Sequence, residues 1–318
     1  MNIVILDAYS VNPGDIDWAP IQAFGDLTVY EHNAPEQIEE RLRHADAAFT
    51  NRARLGEVEF SLAPNLRFLG LFATGFDKID IAAARRHGVA VCNVPGYSTD
   101  AVAQHAIALM LELTNRTRAL DTELRKGRWT QDQNDCSWDA PIIALTGKTF
   151  GVLGTGAIGC QAARIASALG MRVIGHSRRM RAEFCGSYVS LEELFRQSDV
   201  LSLHCAATQE TRGIVNRESL ASMKSSAILI NTARGALVDS SALAEALNDG
   251  TIYAAGLDVV DREPILPDHP LLSAKNCLIT PHAAWIPVDV RKRLVEMAAE
   301  NLGAFLNNKQ LNRVDLEG

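Results

Sequence analysis

Three glycines with a fixed spacing form the most informative motif in the sequence. Gly154, Gly156 and Gly159 make a G-x-G-x-x-G pattern directly after the apolar segment Thr149–Leu153 and at the start of the helical pattern Ala157–Leu169. The motif alone is a weak signal, but between a strand and a helix its glycines permit a tight turn, a close approach to a pyrophosphate and close helix packing. The helix N-terminus there offers N–H groups to phosphates. The sequence therefore predicts a dinucleotide-binding site.

The residues after the next predicted strand bear on which dinucleotide binds. The segment MRVIGH is followed by Ser177, Arg178 and Arg179. No acidic residue stands there, where a carboxylate would bind the ribose hydroxyls and repel a 2′-phosphate. A hydroxyl and two guanidinium groups suit a 2′-phosphate, which arginine binds through paired hydrogen bonds. We therefore expect NADP(H) rather than NAD(H), although NAD(H) stays open because exposed arginines often only face water.

Short apolar segments alternate with helical patterns, such as Ala34–His44, along the whole chain, which is typical of βαβ units and parallel sheets. Two such series predict an α/β protein of two doubly wound domains. Residues 1–98 and 287–318 are expected to form one domain and residues 99–286 the other, because the last helical pattern, Val288–Leu306, can pack back against the first. The polar, tryptophan-containing stretch Trp129–Ile143 is expected to be the longest loop. The apolar segments that we expect to form strands are Asn2–Leu6, Ala47–Thr50, Phe68–Leu71, Val89–Cys92, Thr149–Leu153, Met171–Gly175, Val200–Leu203, Ala227–Asn231, Ala254–Asp258 and Cys277–Ile279.

The overall composition excludes several classes of protein. The 318 residues are 47% hydrophobic and 22% charged, as in folded globular proteins. A net charge of −7 argues against nucleic-acid or anionic membrane surfaces. Six scattered cysteines without a C-x-x-C pair predict neither disulfides nor a metal site. Asp7 interrupts the N-terminal apolar run and the segment Ala101–Leu113 is too short to span a membrane, so a cytoplasmic location is expected.

Several longer strings resemble the D-isomer-specific 2-hydroxyacid dehydrogenase family, most closely its glycerate dehydrogenase/hydroxypyruvate reductase branch. They occur in the order that the family has, and they span most of the chain. The strings are ATGFDKID (73–80), NVPGYSTDAVAQHAIAL (93–109), GVLGTGAIG (151–159), NTARGALVD (231–239), GLDVVDREP (256–264) and ITPHAAW (279–285). The resemblance implies a Rossmann cofactor domain inserted into a flavodoxin-like substrate domain, with the substrate bound in the cleft between them.

The resemblance also implies three catalytic residues. Arg234 matches the arginine that binds the substrate carboxylate and polarises the keto oxygen, a task that suits a forked guanidinium. His282 matches the general acid/base that exchanges a proton with that oxygen as hydride is transferred. Glu263 matches the acid that pairs with the histidine and orients it. In formate dehydrogenases of the superfamily glutamine takes that place, so Glu263 speaks against that activity.

Other positions follow from the same resemblance. Asp258 is expected to hydrogen-bond the nicotinamide carboxamide, and backbone N–H groups of Thr74 and Gly75 to hold the substrate carboxylate. Trp285 either narrows the substrate pocket or simply packs as an indole. The remaining positions expected to contact the cofactor are Thr155, Ala157, Ile158, His204 and Thr232.

The activity expected from the resemblance is reduction of a small anionic 2-keto acid to a D-2-hydroxy acid, with hydroxypyruvate and D-glycerate as the preferred pair. A glyoxylate or broad-specificity keto-acid reductase stays open, because one methyl or hydroxyl group is worth only about 1–3 kcal/mol of discrimination. The alternative from another class is a nucleotide-sensing binding protein resembling the corepressors built on this fold. A homodimer joined through the cofactor domains is also implied, with the apolar helix near Thr99–Leu113 contributing.

Overall fold

The computed structural model describes residues 1–127 and 141–316. Within them the chain forms two compact units, Met1–Ser98 with Trp285–Gly318 and Thr99–Ala284. Most of the predicted loop Trp129–Ile143 lies outside the described residues. Among the helices of residues 1–127 and 141–316, none combines the length and apolar character that a membrane crossing requires.

The first unit is built on a five-stranded sheet with the order β2-β1-β3-β4-β5, in which all pairs are parallel. Every residue of β3 and β4 is buried, as expected for strands covered on both faces. The strands are β1 (Asn2–Ile5), β2 (Asp26–Val29), β3 (Ala47–Thr50), β4 (Phe68–Leu71) and β5 (Ala90–Cys92). The helices are α1 (Ala19–Gln22), α2 (Ile38–Leu42), α3 (Glu57–Ser61) and α4 (Ile81–Arg86), with α11 (Val288–Leu306) returning from the end of the chain.

The second unit contains a seven-stranded parallel sheet with the order β12-β11-β10-β9-β6-β7-β8. Its strands are β6 (Thr149–Leu153), β7 (Arg172–His176), β8 (Ser187–Tyr188), β9 (Val200–Leu203), β10 (Ile228–Asn231), β11 (Ala254–Leu257) and β12 (Cys277–Ile279). Its helices are α5 (Thr99–Asn115), α6 (Thr117–Arg125), α7 (Ala157–Ala168), α8 (Leu191–Gln197), α9 (Arg217–Ser222) and α10 (Ser240–Asp249).

The order of these strands fixes where a ligand can bind. The chain enters the sheet at β6, proceeds to β7 and β8 on one side, and then returns to place β9 on the other side of β6. The loops after β6 and β9 therefore diverge and leave a crevice at the carboxyl edge, which is where doubly wound sheets bind their ligands. The predicted fold class, two doubly wound parallel-sheet α/β domains, is confirmed.

Two strands were not predicted, and one helix begins differently. β2 and β8 are edge strands of four and two residues, and neither is fully buried. The predicted helix Ala34–His44 begins as a 3₁₀ turn, Pro35–Gln37, before α2. Short 3₁₀ turns are frequent at helix N-termini, and Pro35 is tolerated there because its missing N–H has no partner to lose.

Candidate active site

Three of the predicted residues follow three neighbouring strands of the second unit. Arg234 follows β10, Asp258 follows β11 directly, and His282 follows β12. Because these strands are adjacent and parallel, their carboxyl ends and the loops that follow them lie at one edge of the sheet. The glycine motif follows β6 and therefore lies at the same edge.

His282 and Glu263 form a direct pair. The imidazole Nδ1 of His282 lies 2.7 Å from Oε2 of Glu263, and about a third of each side chain is exposed. An ionised carboxylate can only accept, so Nδ1 carries the proton of this hydrogen bond. That arrangement leaves Nε2 as the ring nitrogen that can give or take a proton from a ligand.

The main chain of His282 adopts a conformation that few non-glycine residues adopt. Its φ is +53°, in the left-handed region. The carbonyl oxygen of Asp258 accepts from the N–H of His282 at 2.8 Å, and its carboxylate accepts from the N–H groups of Ala283 at 2.7 Å and Ala284 at 2.9 Å. Asp258 therefore holds three successive residues of the turn, which compensates for the unfavourable backbone angle.

The carboxylate of Asp258 is almost fully buried, at 1% exposure. Burial favours the neutral acid, but hydrogen bonds from His105, Thr280 and the two main-chain N–H groups hold the pKa of this carboxyl below its usual range. Asp258 is thus an ionised acceptor. Its Oδ2 accepts from Ala284 alone among the residues that the structure describes, so it can accept from one more donor such as a carboxamide N–H.

Arg234 lies in a loop that packs against the loop carrying Glu263. Its Nη1 donates to the carbonyl of Ala233 at 2.7 Å, and its own carbonyl accepts from the Asn231 side chain at 2.9 Å. A Cβ at the next residue, Gly235, would lie 1.9 Å from the carbonyl carbon of Val260. Only glycine permits this approach, so Gly235 brings the two loops together. The rest of the half-buried Arg234 guanidinium has no partner within residues 1–127 and 141–316 and can bind an anion.

The glycine motif has the geometry of a phosphate cradle. Gly154 has a φ of +97°, and a Cβ there would lie 2.6 Å from the Cys205 backbone nitrogen. Beside Gly156, by contrast, no atom lies within 4 Å of the Cβ position, so this side of the turn is open. Gly156 is the N-cap of the twelve-residue helix α7 and no side chain caps it. The helix N–H groups are therefore available to a phosphate.

A buried hydroxyl supports the same interpretation. Thr232 follows β10 and is 9% exposed, and its Oγ1 has no hydrogen-bond partner in the described part of the chain. An unsatisfied buried hydroxyl is costly, and a bound ligand is one explanation. The open glycine turn, the uncapped helix and this hydroxyl together fit a dinucleotide, and contacts from Ala157 and Ile158 of the same turn stay predictions. The contact predicted for Thr155 lacks support, because this residue is fully buried and its hydroxyl bonds Tyr188.

The residues after β7 and β9 differ in charge. Arg178 and Arg179 are exposed and Ser177 is half-buried. The pKa of Glu210 is lowered mainly by its hydrogen bond with the Thr208 hydroxyl and also by the charge of Arg178, so an acidic residue lies near that arginine. His204 follows β9, and its Nε2 lies 2.8 Å from the Ser202 hydroxyl. Burial lowers the pKa of His204 to about 4, so this ring is neutral at pH 7. The two arginines, and not the histidine, supply positive charge here.

The predicted residues of the first unit have the following surroundings. The Thr74 hydroxyl donates to the carbonyl of Val94 at 2.9 Å, and the Thr74 carbonyl accepts from Asn93 at 2.7 Å. These bonds fix the turn that contains Gly75. The Trp285 indole is 8% exposed and meets Tyr97 edge-on at 6.5 Å between ring centroids. The roles of Thr74, Gly75 and Trp285 toward a substrate stay predictions.

Three contacts to functional residues were not predicted. His105 and Thr280 contact Asp258, and the Tyr188 hydroxyl bonds Thr155 of the glycine turn at 2.9 Å. His105 and Thr280 each lie within a string that carries the family resemblance, whereas Tyr188 lies outside those strings. Within residues 1–127 and 141–316 no group of acidic, histidine and cysteine side chains is suited to a metal ion, and the five cysteines found there are free thiols.

Comparisons with known proteins identify the family of this chain. Residues 107–284 match the NAD binding domain of the D-isomer specific 2-hydroxyacid dehydrogenases. A hydroxypyruvate reductase of Blautia hydrogenotrophica is 43% identical over 99% of this chain and 100% of its own length. A glyoxylate reductase of Aeropyrum pernix is 41% identical over 91% of this chain and 89% of its own. The crystal structure of an NADPH-dependent glyoxylate/hydroxypyruvate reductase from Sinorhizobium meliloti, in complex with NADP and malonate, is 28% identical with a TM-score of 0.84, covering 98% of this chain and 96% of that one. The chain therefore belongs to the D-isomer specific 2-hydroxyacid dehydrogenase family and is a nicotinamide-dependent oxidoreductase, as the sequence predicted.

Proposed function

We propose that this enzyme reduces hydroxypyruvate to D-glycerate and that NADPH is its preferred hydride donor. The observation that carries the proposal is the His282–Glu263 pair, held at the carboxyl edge of the sheet that also carries the glycine cradle. The hydroxypyruvate reductase relative, aligned over nearly the whole chain, supports the choice of substrate.

In the proposed reaction the three charged residues have separate tasks. The free N–H groups of the Arg234 guanidinium bind the substrate carboxylate and polarise the adjacent keto oxygen. Nε2 of His282 gives its proton to that oxygen in reduction and takes it back in oxidation. Glu263 holds the ring through Nδ1 and stabilises its protonated form. The chemistry that the nicotinamide coenzyme supplies when bound is hydride transfer to or from carbon 2 of the acid.

The proposed coenzyme preference depends on Arg178 and Arg179. Both side chains are exposed after β7, and both are cationic in a region where His204 is neutral. Arg178 and Arg179 would donate charge-assisted hydrogen bonds to a 2′-phosphate beside Ser177, and NADH has no phosphate there to accept them. The Sinorhizobium meliloti enzyme described as NADPH-dependent supports this preference.

Glyoxylate is the second candidate substrate. The Aeropyrum pernix relative is a glyoxylate reductase of nearly the same identity to this chain. Glyoxylate differs from hydroxypyruvate only beyond the keto carbon, so Arg234 and His282 would treat both alike.

Domain roles and assembly are part of the proposal. Residues 99–286 would bind the dinucleotide and contribute Trp285 to the substrate pocket, and residues 1–98 with 287–318 would bind the substrate through Thr74 and Gly75. A homodimer through the cofactor unit is part of the proposal, and the contribution of the helix near Thr99–Leu113 stays a prediction. The next helix, α6, adds exposed apolar side chains, with Leu120 and Leu124 at 39% and 43% exposure. The cytoplasmic location expected from the sequence stays a prediction.

The test is a steady-state panel of hydroxypyruvate, glyoxylate, pyruvate and phenylpyruvate, each with NADPH and NADH, followed by chiral analysis of the product. We expect the highest kcat/KM for hydroxypyruvate with NADPH and D-glycerate as the product. A higher kcat/KM for glyoxylate than for hydroxypyruvate would make glyoxylate the assigned substrate. L-glycerate as the product of hydroxypyruvate would contradict the whole proposal.

A further inference from the structure

His105 lies close to the turn that carries His282, although 177 residues separate the two. It belongs to α5, which packs against β10 and β11 of the same unit. Its Nε2 is 2.9 Å from the Thr280 hydroxyl oxygen and 3.4 Å from Oδ1 of Asp258. The side chain is about one quarter exposed.

The hydrogen-bond directions in this group follow from its chemistry. The Thr280 hydroxyl lies 2.6 Å from Oδ1 of Asp258, and because a carboxylate can only accept, Thr280 must donate. The Thr280 oxygen then accepts, and the donor facing it at 2.9 Å is Nε2–H of His105. A bare ring nitrogen would instead present its lone pair to the carboxylate.

The chain of donors ends on the residue that holds the catalytic turn. Oδ1 of Asp258 accepts hydrogen bonds from the Thr280 hydroxyl and the N–H of Ala283, while Oδ2 accepts one from the N–H of Ala284. These bonds need an ionised carboxylate in an almost fully buried place, and such a carboxylate is stable there only with strong donors. His105 and Thr280 supply two of those donors.

We propose that His105 is a positioning residue of this enzyme, which acts through Thr280 and Asp258 to hold the turn of His282 in its left-handed conformation. It does not contact the reacting atoms. The chemical part of the proposal rests on the proposed role of His282, whereas the positioning itself can be measured without coenzyme or substrate.

Substitutions can separate the donor from the bulk of the ring. Glutamine places its amide nitrogen the same number of bonds from Cα as Nε2 of histidine, so His105→Gln keeps the donor. His105→Asn is polar but one bond too short, and His105→Leu fills space without a donor. His44→Leu makes the same chemical change at an exposed position of the other unit and is the matched control.

The first measurement is hydrogen exchange of the segment 280–287 in coenzyme-free protein, where the N–H groups of His282, Ala283 and Ala284 are bonded to Asp258. We expect exchange about tenfold faster or more in His105→Asn and His105→Leu, and wild-type protection in His105→Gln and His44→Leu. Equal protection in the asparagine variant and the wild type would overturn the proposal, as would a glutamine variant that exchanges like asparagine. The Gln and Asn pair decides the matter if the leucine variant does not fold.

The second measurement is the single-turnover rate of coenzyme oxidation after the preformed NADPH complex is mixed with the best keto acid of the substrate panel. In His105→Asn this rate should fall on the order of tenfold to a hundredfold, with the KM for keto acid within about twofold, because misplacing a catalytic group has effects of that size. A raised KM for the keto acid with an unchanged single-turnover rate would overturn the proposal. If hydroxypyruvate fails as a substrate, the exchange experiment still stands, so the two proposals fail separately.

Discussion

The Nδ1 atom of His282 lies 2.7 Å from Oε2 of Glu263, so the carboxylate fixes which ring nitrogen faces a ligand. The two residues come from loops that follow β12 and β11, and the pair therefore depends on the adjacency of those strands. The pairing with Glu263 identifies His282, one of eight histidines in the chain, as the candidate acid/base.

Replacing Glu263 by glutamine tests the charge of this pair separately from its geometry. Glu263→Gln retains an oxygen that can accept from Nδ1 but removes the negative charge that stabilises the imidazolium. We expect kcat for D-glycerate oxidation to fall about a hundredfold. The measurement is initial-rate oxidation at saturating substrate. Asp268→Asn, which removes an exposed carboxylate from the same loop, is the control, and equal rates in the two variants would remove Glu263 from the mechanism.

Arg234 can be tested by a change that preserves its charge. Lysine is a point charge and cannot make the two parallel hydrogen bonds of a guanidinium. In Arg234→Lys we expect the KM for hydroxypyruvate to rise at least about tenfold and kcat to fall as well, because both substrate binding and carbonyl polarisation are weakened. Arg217→Lys alters an exposed arginine paired with Glu245 and should leave both constants unchanged. Wild-type constants in Arg234→Lys would exclude a forked contact.

The coenzyme preference is tested with the double variant Arg178→Ala and Arg179→Ala. Removal of both guanidinium groups should raise the KM for NADPH about tenfold or more and leave that for NADH within about twofold, since only NADPH carries the 2′-phosphate. Arg181→Ala, in the same loop but paired with Glu183 at 3.7 Å, is the control. Equal losses with the two coenzymes would contradict the assignment.

The half-buried, neutral ring of His204 predicts a dependence of stability on pH. Its pKa is lowered from 6.5 to about 4 in the folded protein, so between these pH values the unfolded chain binds a proton that the folded chain does not. Stability contributed by this group is complete above pH 6.5 and is lost as the pH falls toward 4, at most about 3 kcal/mol at about 1.4 kcal/mol per pH unit.

Urea unfolding of coenzyme-free wild type and His204→Gln at several pH values measures this effect. The difference in unfolding free energy between the two proteins should shrink from pH 7 to pH 4, because glutamine does not titrate. Parallel curves over that range would show that His204 is not kept neutral by folding.

The sequence located most of the sheet because its strands are buried on both faces and read as short apolar runs. Five predicted strands, among them Phe68–Leu71 and Thr149–Leu153, have the observed bounds, and α11 matches the predicted Val288–Leu306. β2 was missed because its sequence, DLTV, is polar at alternate positions and lies at an edge. Its pairing with β1 depends on backbone hydrogen bonds, which leave no trace in side-chain patterns.

Site residues that depend on long-range contacts could not be predicted from the sequence for a similar reason. Gly154, Gly156 and Gly159 could be predicted from their spacing, because a tight turn and the start of a helix need glycine at fixed positions. His105 and Thr280 touch across 175 residues, and no periodicity connects them. Family resemblance pointed to Asp258 as a coenzyme contact, and only the structure adds that its carboxylate holds the turn of His282.

The most direct test of the account is the single turnover of His282→Gln. Preformed complex of this variant with NADPH is mixed with hydroxypyruvate, and coenzyme oxidation is followed by absorbance, with coenzyme affinity measured separately by fluorescence. Loss of the proton donor should slow the step by about 10²–10⁴-fold while coenzyme affinity is retained. A wild-type rate in a variant that binds NADPH normally would contradict the central claim that His282 is the acid/base of this enzyme.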